Sequence, residues 1–183
     1  YHCRVRLMPS KSLSVAKSDK IFKGPRIGAH TPTSGGMAKR SLGYAETIKA
    51  EVIQVFASNP RGWAMPEPNR AADEDFRTKA EAMDITTYVH APFLINLGSP
   101  TEGTYKNSLA STAYSLQRGK DIGALGVVIH TGSAVDEAHV PNAWKQIHEG
   151  MMPILNSLSD DSPSLLLEPT AGQGQSLVKK LDD

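Results

Sequence analysis

The chain has 183 residues, 39% hydrophobic and 21% charged, with a formal net charge of +1. That size and balance fit one globular domain with a sizeable core, and near-neutrality means that any nucleic-acid contact must rest on local residues. The single cysteine, Cys3, excludes a disulfide framework and a thiolate zinc cluster and favours a reducing, cytoplasmic setting, while no apolar stretch approaches the roughly 20 residues that span a bilayer.

Residues 1–25 stand apart. Arg4, Arg6, Lys11, Lys17, Lys20 and Lys23 lie among serines, with Asp19 the sole acid. This composition predicts a basic segment without packed structure; the alternative is a basic arm that adds phosphate contacts. No continuous apolar run follows the basic residues, so the segment is not a secretory signal. The domain proper is expected over residues 26–183.

From there the chain alternates between strand and helix signals. Strand 27–30 ends at His30, and Met37, Leu42, Ala45 and Ile48 then mark one helical face. Strand 52–57, rich in β-branched and aromatic residues, leads into the loop Ser58-Asn59-Pro60-Arg61-Gly62-Trp63. A charged helix over 70–83 has Ala72, Phe76, Ala80 and Met83 as its inner stripe. Strand 86–90 and a long loop over 91–102 precede a helix with Tyr105, Leu109, Ala113 and Leu116 on one side. Strand 124–130 is followed by a helix carrying Ala143, Ile147, Met151, Ile154 and Leu158, and strand 165–168 closes the series. His139 and His148 read as solvent-exposed.

Five strand–helix units running in one direction predict an α/β fold with a parallel sheet. Strand ends recur about every 30 to 40 residues, the pace of a TIM (β/α)₈ barrel, and eight such units need about 250 residues where this chain supplies about five. An open doubly wound sheet is the alternative. Either fold places function at the carboxyl ends of the strands, where His30, His90, His130 and Glu168 fall. Zinc accepts imidazole nitrogen and carboxylate oxygen, so His90, His130 and Glu168 are candidate ligands of one ion. Neighbouring strands lie about 4.8 Å apart, which puts all three within reach of it. This pattern alone leaves open a hydrolase, a single-metal sugar isomerase or epimerase, and ordinary hydrogen-bonded residues at strand ends.

Five blocks occur in order: Gly28-Ala29-His30 with Ser34-Gly35-Gly36; Asn59-Pro60-Arg61-Gly62-Trp63; His90-Ala91-Pro92-Phe93-Leu94-Ile95-Asn96-Leu97-Gly98; His130-Thr131-Gly132-Ser133; and Glu168-Pro169-Thr170-Ala171-Gly172-Gln173-Gly174. Together they resemble endonuclease IV, the zinc-dependent apurinic/apyrimidinic endonuclease family of base-excision repair, over roughly residues 26–177. The resemblance implies a barrel of the xylose-isomerase-like type. It also implies hydrolysis of the phosphodiester 5′ to an abasic site in duplex DNA by a zinc-activated hydroxide, by an enzyme that is monomeric when complete. The family holds three zinc ions; His90, His130 and Glu168 match the ligands of one, with Glu168 bridging to a second and serving as the catalytic carboxylate. The other ligands, which lie in later motifs, have no counterpart before Asp183, so the chain resembles a C-terminally truncated fragment that is expected to be unstable or inactive by itself. Arg61 matches the arginine that enters the base stack. Phe93 stands where tyrosine is common, keeping the stacking face and losing the hydroxyl, and Leu94 is its partner in the same wedge. His30, Ser133 and Gln173 are weaker candidates for contacts with substrate. The competing readings are a single-metal sugar isomerase or epimerase of the related barrel group and a partial barrel without turnover.

Overall fold

The computed structural model describes residues 25–180; the basic segment expected over 1–25 lies, up to residue 24, outside the described residues. Strands β1 (Gly28–His30), β2 (Val52–Phe56), β3 (Thr86–His90), β4 (Gly126–Ile129) and β5 (Ser164–Leu167) alternate with helices α1 (Leu42–Ile48), α2 (Arg70–Ala82), α3 (Glu102–Asp121) and α4 (Val140–Asn156). A single π-type turn, Met37–Ser41, leads into α1. The sheet order is β1-β2-β3-β4-β5, and every neighbouring pair is parallel. Each strand pairs with its successor in the chain, so the order never reverses. A doubly wound sheet reverses at a switch point. The open-sheet alternative is therefore excluded, and the five units form an arc of a barrel.

Right-handed crossovers carry all the helices to one side of such an arc. The core lies there. Leu42 and Ala45 of α1, Phe76 and Ala80 of α2 and Leu116 of α3 pack against Ile53, Val55, Val89, Val127 and Ile129 of the strands. Period-two alternation leaves Gln54, Phe56, Tyr88, His90, Val128 and Leu166 on the other, concave side. Register carries this set across the sheet, with Phe56 opposite His90, His90 opposite Val128 and Val128 opposite Leu166.

Apolar periodicity locates the helices, but two packing faces differ from it. Ala72 and Met83 are exposed, and the inner stripe of α2 is Asp73, Phe76 and Ala80. Asp73 belongs there because Arg118 of α3 meets it with two hydrogen bonds, Nη1 to Oδ2 at 2.7 Å and Nη2 to Oδ1 at 2.6 Å, both side chains being buried. The Asp73 carboxylate holds the guanidinium above its ordinary pKa. On α3, Ala113 is exposed while Ser108, Ser111, Thr112 and Ser115 are buried. The hydroxyls of Ser108, Thr112 and Ser115 are satisfied by donating to carbonyls one turn back, those of Thr104, Ser108 and Ser111. Small polar side chains therefore share the packing face with Leu109 and Leu116. His148 is exposed as expected, but His139 is half-buried, with its Nε2 atom lacking a hydrogen-bond partner among the described residues. No helix of the described residues is long and apolar enough to cross a membrane.

Removing one member of a buried ion pair strands the other charge. Asp73→Ala is expected to lower stability by about 3–5 kcal/mol in urea denaturation, and the double replacement Asp73→Leu with Arg118→Met to recover most of that loss.

Candidate metal centre

His90 is the last residue of β3, and His130 and Glu168 follow the last residues of β4 and β5. The backbone ladder continues past the strand ends: the Glu168 amide donates to the Ile129 carbonyl at 2.9 Å, which sets Glu168 beside His130. The carboxylate Oε2 of Glu168 lies 3.3 Å from Nε2 of His90 and 3.7 Å from Nε2 of His130. These are long for charge-assisted hydrogen bonds, which run about 2.7–2.9 Å. They match the spacing of zinc ligands, since donors about 2.0–2.2 Å from one ion at tetrahedral angles stand about 3.4 Å apart. Ligating atoms of all three residues lie within 4.8 Å of one another, and no other group of three or more such residues occurs among the described ones.

Each imidazole is oriented through its other nitrogen. Nδ1 of His90 lies 2.6 Å from the Ala91 carbonyl, and Nδ1 of His130 lies 3.4 Å from the Glu168 carbonyl. A carbonyl accepts, so it selects the Nδ1–H tautomer and leaves the Nε2 lone pair free for a cation. The donor set, one carboxylate and two Nε2 atoms, fits a zinc-type ion. Burial is graded across it: His90 is buried, His130 half-buried and Glu168 exposed. One side of the centre is thus fixed in the sheet while the other opens to solvent.

Aromatic rings surround His90. Phe56 lies edge-on to it at 5.5 Å between centroids, Phe93 at 5.4 Å, and the two phenyl rings are 5.1 Å apart. Phe93 nonetheless keeps 54% of its surface exposed, and Leu94 37%. The Phe93 amide donates to the Pro60 carbonyl at 2.9 Å, which joins its loop to the one carrying Arg61. Asn59 shapes that second loop by accepting from the Arg61 amide at 3.0 Å, and Arg61 is exposed. Arg61, Phe93 and Leu94 are therefore exposed on two hydrogen-bonded loops at the rim that carries the three ligands.

The weaker candidates have other placements. His30 lies outside the ligand group, with Nδ1 3.0 Å from Oε1 of Gln54 and its ring tilted against Phe56 at 4.4 Å between centroids. The Ser133 amide donates to Oδ1 of Asn96 at 2.9 Å and its hydroxyl accepts from the Val135 amide, so both groups serve the loop. Gln173 is exposed, and its carbonyl accepts from the Ser176 amide and hydroxyl. Sequence reasoning missed Asn96, Gln146 and Phe56. Asn96 was visible only as one letter of a motif, and nothing in the spacing of Gln146 or Phe56 sets them apart from ordinary helix and strand residues.

The chain belongs to the xylose isomerase-like TIM-barrel family, whose pattern matches residues 42–183. Within that class its similarity is to endonuclease 4. A probable endonuclease 4 of Streptomyces coelicolor is 49% identical over 172 residues, covering 93% of this chain and 58% of the relative. The corresponding protein of Streptomyces avermitilis is 50% identical over 158 residues, covering 86% of this chain and 51% of the relative. The crystal structure of endonuclease IV from Thermus thermophilus superposes with a TM-score of 0.71 at 30% identity, over 84% of this chain and 55% of that one. A D-tagatose 3-epimerase-like protein, at 14% identity and a TM-score of 0.62 over 83% of this chain and 56% of that one, shares the fold. The chain spans a little over half the length of the relatives it matches.

Gly132, between His130 and Ser133, has φ +88° and no room for a side chain: a Cβ there would overlap Oδ1 of Asn96. Gly35 has φ +98° but open space around it. Gly132→Ala is expected to cost the backbone strain plus about 1–3 kcal/mol of overpacking, and Gly35→Ala the strain alone; urea midpoints of the two variants test the difference.

Proposed function

We propose that this chain supplies the metal-ligating rim of a zinc-dependent endonuclease that hydrolyses the phosphodiester 5′ to abasic sites in duplex DNA, as part of base-excision repair. The observation that carries the reading is the convergence of His90 Nε2, His130 Nε2 and Glu168 Oε2, with both Nδ1 atoms facing backbone carbonyls. About 50% identity to proteins named endonuclease 4 supports it and weighs against the sugar isomerase or epimerase reading, whose solved examples share the fold alone.

When bound, zinc supplies Lewis acidity to a phosphoryl oxygen and to water. His90 and His130 would hold the ion through Nε2, and the carboxylate of Glu168 would complete the set. Arg61, Phe93 and Leu94 engage the distorted duplex. A long planar or apolar side chain that enters a gap in the base stack offsets part of the unstacking cost. Phe93 rests on Phe56 and His90, so the wedge has a rigid footing. The partners implied are duplex DNA containing abasic sites and zinc.

The test is incubation of the full-length protein with a duplex bearing one abasic site. Incision 5′ to the lesion, leaving a 3′-hydroxyl, is the expected outcome. His90→Ala should reduce kcat/KM by at least about 100-fold, the upper end of what even outer partners of a metal ligand cost. Undiminished incision by metal-stripped protein would overturn the metal reading, and no incision by zinc-loaded protein would overturn the endonuclease. Phe93→Ala should weaken binding to the abasic duplex by about 1–3 kcal/mol in a fluorescence-anisotropy titration, the worth of one base–aromatic stack.

A further inference from the structure

The loop that follows β3 and the loop that follows β4 carry no ligand after His90 and His130, yet they are bonded to each other through one side chain. Oδ1 of Asn96 accepts from the Ser133 amide at 2.9 Å and from the Gly98 amide at 3.1 Å. The Asn96 backbone N–H donates to Oγ of Ser108 at 2.8 Å, and that hydroxyl donates to the Thr104 carbonyl at 2.7 Å, which ties the junction to α3. Gly132 admits the Asn96 side chain where any other residue would block it. Beyond Ser133, the Ala134 amide donates to the Gln175 carbonyl at 2.9 Å and the Leu177 amide to the Gly132 carbonyl at 3.1 Å, so the same loop continues to the segment that follows Glu168.

We infer that Asn96 is a positioning residue of the metal centre: its carbonyl oxygen locks the loop after His90 to the loop after His130 and so sets the separation of their Nε2 atoms. The inference rests on the metal-centre reading above and names a residue that touches neither ion nor substrate. His130 is the ligand most exposed to this control. Its orienting contact to the Glu168 carbonyl is 3.4 Å long, so the placement of the loop decides where its ring points. His90 is held by Ala91 of the other loop at 2.6 Å.

The fold does not hang on Asn96. The Leu97 amide donates to the Thr131 carbonyl at 3.0 Å, and Nε2 of Gln146 donates to the carbonyls of Leu97 and Ser99 at 2.8 and 2.9 Å. The first of these bonds still joins the two loops when Asn96 is changed, and the others hold the loop after β3 to α4. What is lost is the alignment at Ser133 and Gly98.

The experiment measures zinc affinity by chelator competition and the visible absorption of the cobalt(II)-loaded protein, on the full chain at a temperature well below its unfolding transition. Asn96→Ala should weaken zinc binding about 10- to 100-fold, the range for outer partners of metal ligands, and change the cobalt spectrum. Asn96→Gln, which keeps the amide but moves its carbonyl by one carbon, should do the same and carries the test if Asn96→Ala fails to fold. Asn96→Asp retains an oxygen at the same reach and should stay within about threefold of the parent, because either bond needs only an acceptor. Parental affinity and spectrum in both Asn96→Ala and Asn96→Gln overturns the assignment. So does a loss of affinity that Asn96→Asp shares, which marks a structural role alone. Failure of the parent itself to bind zinc overturns the metal-centre reading, and this assignment with it.

Discussion

Parallel pairing of each strand with its successor in the chain is the constraint on which the rest of this structure depends. It places every helix on one side of the sheet and every strand's carboxyl end on one rim. Three strand ends far apart in sequence then become neighbours. The register brings Phe56 opposite His90 and Ile129 opposite Leu167, so that His130 and Glu168 emerge side by side just past the ladder. A reversal of strand order anywhere between β3 and β5 would separate these residues by at least one strand width, about 4.8 Å, and the centre could not close around one ion.

The side of the sheet facing the helices holds the core, and the concave side leads to the candidate ligands. Ile53, Val55, Val89, Val127 and Ile129 are buried against the helices. Their neighbours in sequence point the other way and form the tier that ends in the candidate ligands. One residue of offset along a strand would exchange these roles, because side chains alternate with period two. The Asp73–Arg118 pair sits on the helix side, where it fixes α2 against α3.

The rim is rigid for a reason that the ligands do not supply. Asn96 and Gln146 connect the loops after β3 and β4 to each other and to α4, and the segment after Glu168 is bonded back onto the loop after β4. A catalytic metal needs ligands held before it arrives, since geometry lost in the free protein is affinity lost on binding. The aromatic contacts of Phe93 with Phe56 and His90 extend the same support to an exposed side chain.

Much of this was legible in the sequence. Apolar runs that end on His90, His130 and Glu168 announced the strand ends, and the ordered motif blocks pointed to the barrel family and to these three residues as candidate ligands. Those features are local: a strand reads as a short apolar run, and a histidine or carboxylate is a candidate zinc ligand wherever it falls. The sequence left open whether the sheet was an arc of a barrel or doubly wound, because both alternate strand and helix at the same pace. Strand order decided it, and strand order is a property of long-range pairing. Periodicity also put Ala72, Met83 and Ala113 on packing faces where they are exposed, while Phe76, Ala80, Leu109 and Leu116 pack as expected. Asp73, Ser108 and Ser115 were absent from the expected stripes, and they are buried because Arg118 and the carbonyls one turn back satisfy them. A buried polar residue is invisible to periodicity because its burial depends on a partner distant in the chain. The same holds for Asn96, whose sequence shows an amide in a motif and whose tertiary structure alone shows the two loops it joins.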